Sequence, residues 1–207
     1  MTAEPWALTR EILEDVSRQG LDAEQVEASV AVISMFNYFT RVADATGIEF
    51  DYQTPLPAFN PDLRQVAAPR PGRPDISRGD AADRRRPRHE PLQAAWDSWR
   101  AYLLETGEPL SRRERRLLAS VAAEEAADWG SAGTLSEPGP PGSGDEQLAG
   151  FARKLSRQPW RMEAGDLGKL RAAGCSEQAV LHAISVVAHQ NADSRLVRGL
   201  GAANDLR

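Results

Sequence analysis

Between Leu8 and Gly47 the apolar positions follow a helical rhythm rather than the two-residue alternation of a strand. Val26, Val30, Ile33 and Asn37 recur three or four residues apart, and the Ala, Met and Glu residues among them favour helix. The pattern predicts helices over residues 8–19 and 22–46. Asp22, followed by Gln25, makes a capping box for the longer one, and Gly20 ends the shorter. From Thr54 to Pro91 the rhythm vanishes. Eight of the fourteen prolines lie there, each without a backbone donor and with a fixed φ, so no regular element is expected to run through the segment.

Periodicity returns at residues 91–106, where Trp96, Trp99 and Leu103 form one stripe. A further helix is expected from Ser111 to Trp129, opening on a capping box made by Ser111 and Glu114. The composition of "GSAGTLSEPGPPGSGDE" then predicts a loop over residues 130–145, followed by helices over 146–156, 163–173 and 177–199. No segment carries a strand pattern, so the expected fold class is all-α.

The chain also matches itself. Shifted by 154 residues, the stretch from Pro5 to Gly47 lies over Pro159 to Gly201 without a gap, and nine of the forty-three pairs are identical. Composition alone would give roughly three. The identical pairs include Trp6 and Trp160, the inter-helix glycines Gly20 and Gly174, and the terminal Gly47 and Gly201. They also include Asn37 with Asn191 and Arg41 with Arg195, a polar pair one helical turn apart inside an apolar helix. A polar pair kept in both stretches points to a shared packing requirement, such as hydrogen bonds to a neighbouring helix end.

Composition narrows the function classes. No apolar run approaches the roughly 18–20 residues that span a bilayer. The start "MTAEPWALTREILED" lacks the basic and apolar regions of a secretory signal, so a cytoplasmic location is expected. The single cysteine, Cys175, allows no intramolecular disulfide. A formal charge of −5 gives no global attraction to nucleic acid. The cluster Arg84, Arg85, Arg86 and Arg88 lacks interleaved aromatics and reads as a solvated basic arm.

The runs "LSRRERRLLASVAA" and "LAGFARKLSRQPWRMEAGDLGKLRAAGCSEQAVLHAISVVAHQN", together with "SMFNYFTRVADATGIEFDYQTPLP", resemble the AhpD-like, carboxymuconolactone decarboxylase family. The resemblance covers residues 5–57 and about 109–201. It implies a helical bundle of two related hairpins: a truncated first repeat at 1–53, an arm at 54–90, and a second repeat at 91–207. It also implies assembly into homo-oligomers. Thiol peroxidases of the family use a glutamate, a CxxC pair and a histidine. The cysteines would fall near "EEAADW", residues 124–129, where there are none, and Cys175 lies in a turn far along the chain. A nucleophilic thiolate needs a resolving sulfur, so peroxidase activity through a dithiol is not expected.

What remains is acid–base chemistry. Where the first stretch has "MFN", the second has His189, Gln190 and Asn191, and His182 stands two turns earlier. His189 and His182 are candidate acid and base, with Glu124 and Glu125 as carboxylates. Asn191, Gln190 and Arg195 are candidate substrate-binding groups. The seven-residue spacing of the two histidines is long for one metal ion, and neither a metal nor a cofactor is expected. The sequence therefore points to a non-redox enzyme on a small-molecule substrate, of lyase, cyclase or isomerase type. The alternative is a non-catalytic ligand-binding or scaffold protein that works by oligomerisation.

Overall fold

A computed structural model describes residues 4–48, 70–73, 89–137 and 139–204. Its regular elements are helical, and no strand occurs among the described residues. In chain order they are α1 (Arg10–Arg18), α2 (Ala23–Thr46), α3 (Glu90–Glu105), α4 (Arg112–Glu125), α5 (Trp129–Leu135), α6 (Asp145–Arg157), α7 (Ala164–Ala172) and α8 (Glu177–Asn204). Short 3-10 turns at Pro5–Ala7 and Pro159–Arg161 precede α1 and α7. No helix among the described residues is long and apolar enough to cross a membrane.

The starts and stops have local causes. At α2, the Asp22 carboxylate accepts the Gln25 N–H at 2.8 Å, and the Gln25 side chain accepts the Asp22 N–H at 3.0 Å. At α4, the Ser111 N–H donates to the Glu114 carboxylate at 2.8 Å and the Glu114 N–H donates back to the Ser111 hydroxyl at 3.3 Å. Gly20 and Gly174 stop α1 and α7 at φ of 104° and 95°, a region open to glycine.

Three features differ from the sequence reading by more than two residues. The helix expected to reach Trp129 ends at Glu125, because Ala127 turns left-handed at φ 56°. Part of the expected 130–145 loop is α5 instead. Asp128 caps it by accepting the Ser131 N–H at 3.1 Å, and Ala132 and Leu135, three residues apart, are buried. The glycine-rich composition hid that apolar spacing. Finally, α8 runs to Asn204 rather than 199, since Gly201 stays helical while Gly47, at φ 67°, closes α2. Most of the 54–90 arm, including Arg84, Arg85, Arg86 and Arg88, lies outside the described residues.

α8 is the axis of the fold. It packs against α2, α4, α6, α3 and α7, and every residue from Val186 to Leu196 is buried. Leu118, Leu155, Leu170, Ile184 and Val187 fill the main core around it. A helix buried on all sides needs no single apolar stripe, and the polar groups it carries must find partners inside. The two stretches matched in sequence carry the same elements at the same offset: α7 starts and ends 154 residues after α1, and α8 starts 154 after α2. α2 and α8 pack against each other, and Gly199 leaves no room for a side chain between them, since a Cβ would stand 2.4 Å from Val30 Cγ1.

Candidate functional site

The consecutive residues His189, Gln190 and Asn191 are all buried, but about 100° of helical turn separates each from the next. They therefore meet three different neighbours. The His189 ring lies against α3, with its centroid 5.4 Å from the Trp96 ring and 4.7 Å from Trp99. Trp96 Nε1 donates to Asp193 at 3.0 Å, one turn further along α8. Trp99 also meets Tyr38 of α2 edge-on at 4.6 Å.

Gln190 faces the corner between α4 and α5. Its Nε2 donates to the Ser194 hydroxyl at 3.0 Å, and that hydroxyl donates to Asp128 Oδ2 at 2.8 Å. The Gln190 carbonyl oxygen is buried and has no hydrogen-bond partner among the described residues. Glu125 is the last residue of α4. Its carboxylate takes Arg157 from the end of α6 and Arg70 at 3.3 Å. Arg70 also donates to the backbone carbonyl of Glu124, and its guanidinium lies 5.3 Å over the Trp129 ring. Glu124 itself is half-buried.

Asn191 faces α6. Its Nδ2 donates to the Ser156 hydroxyl at 2.8 Å and to the Val187 carbonyl at 3.0 Å. Its own carbonyl and its side-chain oxygen both accept from Arg195 Nη1, at 2.8 and 3.0 Å. The pair on α2 does the same: Arg41 Nη1 donates to the Asn37 carbonyl and side-chain oxygen at 3.1 and 3.0 Å. Arg41 Nη2 then reaches the Ser156 carbonyl at 3.2 Å. Ser156 stands in the last turn of α6, where carbonyls lack intrahelical donors and the helix dipole is negative. One residue is thus bound through its hydroxyl by α8 and through its carbonyl by α2. The polar pairs serve a helix end, as the repeated spacing suggested.

Burying these guanidiniums has an electrostatic consequence. Desolvation pushes the Arg41 pKa down to about 10, with Asp44 opposing it. Arg195 is held well below the ordinary arginine value, by burial first and then by the nearby charge of Arg41. His182 lies apart from His189, half-buried, with its ring 5.8 Å from Tyr102. Burial, and then the charge of Arg115, lower its pKa. Arg115 is fully buried and serves a second helix end, donating to the carbonyls of Leu103 and Leu110 at 3.0 Å each and to that of Glu108.

Of the seven sequence candidates, then, Asn191 and Arg195 are joined at the α6 end, while Gln190 bonds towards Asp128 and Glu125 takes two guanidiniums. His189 and His182 meet different aromatic partners. Sequence reasoning missed Arg70, Asp128, Ser194 and Arg115. Only Arg115 had a legible signal, as the residue of "RRERR" one turn before Ala119 on the buried face. Among the described residues no group of three or more His, Cys, Asp or Glu could hold a metal ion. Burial and the charge of Glu114 raise the Cys175 pKa, which disfavours its thiolate. Comparison with protein-family models, with curated proteins and with solved structures finds no match.

Proposed function

We propose that this chain is a non-catalytic scaffold of AhpD-like architecture, without thiol peroxidase activity, whose two hairpins are copies of one ancestral unit. The observation that carries the reading is the dispersal of the candidate groups. The Asn191 and Arg195 side chains are engaged at the α6 end, Glu125 takes two guanidiniums, and the His189 ring lies against two indoles. Catalytic acids and bases need to converge on one reacting atom, and these do not. The common origin of the hairpins is supported by the shared offset of their elements and by the identical Asn–Arg bonding.

A second reading, a non-redox small-molecule enzyme, draws on one corner. There the Gln190–Ser194–Asp128 chain lies at the turn between α4 and α5, and the buried Gln190 oxygen is left for a donor. One experiment addresses both. The full chain is incubated with a hydroperoxide and a dithiol, and separately with a panel of lactones and keto acids followed by NMR. The scaffold reading expects no turnover in either arm. Turnover abolished by Glu125→Gln or Asp128→Asn would move the assignment to the second reading, and dithiol-dependent peroxide consumption would sink both.

A further inference from the structure

On α2, Val32, Ile33, Phe36 and Phe39 are exposed, at 56%, 39%, 63% and 56%. Their counterparts 154 residues on are Val186, Val187, Gln190 and Asp193, all at 1% or less. The same face of the same kind of helix is covered in one hairpin by the rest of the bundle and left bare in the other. We propose that a second copy of this chain covers it, with two α2 helices packed antiparallel about a two-fold axis at Phe36. The proposal rests on the scaffold reading and names the partner.

The pattern itself is self-complementary. Ser29, Val32, Phe36, Phe39 and Ala43 follow one another at intervals of three and four, the seam of a helix pair. With Ile33 and Thr40 added on its flanks, the stripe maps onto itself about Phe36: a two-fold there sets Phe36 on its own copy, Ser29 against Ala43, Val32 against Thr40 and Ile33 against Phe39. The same operation sets Glu24 near Ile48 and Asp44 near Ala28, so no like charges oppose each other. Burial would strand no hydroxyl. Ser29 already donates to the Gln25 carbonyl at 2.8 Å, and Thr40 to that of Phe36 at 3.0 Å. At roughly 200 Å² per aromatic side chain, Phe36 and Phe39 alone leave on the order of 240 Å² in water. That is a substantial core for an interface of about 800 Å² per partner, with the polar flanks of α2 as its rim.

The test is sedimentation of the full chain across the micromolar range. Wild type should approach twice the 22.6 kDa chain mass as concentration rises. Phe36→Glu should stay at the single mass and melt where dilute, monomeric wild type melts, whereas Leu181→Glu, on an exposed position of α8, should still associate. In a Cys175→Ser background, Phe36→Cys should form a cross-linked dimer on mild oxidation, because residues on the axis reach disulfide range, and Tyr102→Cys should not. A wild type that stays monomeric overturns the proposal. So does association that survives Phe36→Glu, or a Phe36→Cys chain that associates without cross-linking. A wild type that stays monomeric and is unfolded by Phe36→Glu would mean that the face is needed within the chain, and would also overturn it. Turnover in the assay above would sink the scaffold reading while leaving this association measurement untouched.

Discussion

The first hairpin, α1–α2, and the second, α7–α8, begin from nearly the same local structure and end in different surroundings. Each has a 3-10 turn at a Pro-Trp pair, a short helix, a glycine at positive φ, and a long helix with an Asn–Arg pair one turn apart. Yet α8 is enclosed while α2 leaves a phenylalanine stripe in water. The residues follow the surroundings. Where α2 has Phe36 and Phe39, α8 has Gln190 and Asp193, which bond to Ser194 and Trp96 inside the bundle. The same holds for the shorter helices: Ile12 is exposed on α1, whereas its counterpart Asp166 is buried on α7 and bonded to Lys154 at 2.5 Å. The difference teaches that polar residues are carried by the enclosed hairpin where defined partners meet them. Apolar residues stand on the open hairpin, where the described chain leaves them exposed.

Three changes would break or sharpen this comparison. The largest effect is expected where a glycine leaves no room for a side chain between the two hairpins. Gly199→Val puts branched atoms where even a Cβ would lie 2.4 Å from Val30. It should lower stability by about 3 kcal/mol in urea denaturation. Adding Val30→Ala should recover part of the loss; no recovery would mean that the helices do not meet at that point.

Next come the paired asparagines. Asn191→Ala and Asn37→Ala each remove an acceptor for a buried guanidinium, and each should cost about 1–3 kcal/mol. Because both pairs converge on Ser156, the double variant should depart from additivity by about 0.5 kcal/mol or more. Strict additivity would show the two junctions to be independent.

The smallest effect is a pH dependence confined to the second hairpin, since the counterpart of His182 is Ala28. The folded His182 pKa lies below the ordinary 6.5. As pH falls from 6.5 towards the folded value, the unfolded chain takes up a proton that the folded chain does not, so stability drops on acidification. His182→Gln should flatten that part of the stability-against-pH curve. An unchanged slope would show that the imidazole titrates alike in both states.

Much of the local structure was legible along the chain. The capping boxes at Asp22 and Ser111, the stop at Gly20 and the buried stripe of Trp96 and Leu103 depend on residues a few positions apart, and sequence spacing records such relations directly. The short α5 was missed because its glycines and serines mask two apolar positions that matter only once packed. The candidate site was half-legible. Inspection of residue types identified His189, Gln190 and Asn191 as unusual, but grouped side chains that the helix sends to three separate neighbours.

By itself, then, the sequence determined that the chain is helical, where most helices begin and stop, and which polar residues would need partners. It also determined that no dithiol is available, because the chain holds one sulfhydryl. Only the tertiary structure decided which partners those residues take: Ser156 for both Asn–Arg pairs, two indoles for His189, and water for Phe36. The physical reason is one of range. Capping and periodicity act over one or two helical turns, whereas burial depends on which distant segment arrives alongside, and identical local patterns meet different neighbours at the two ends of this chain.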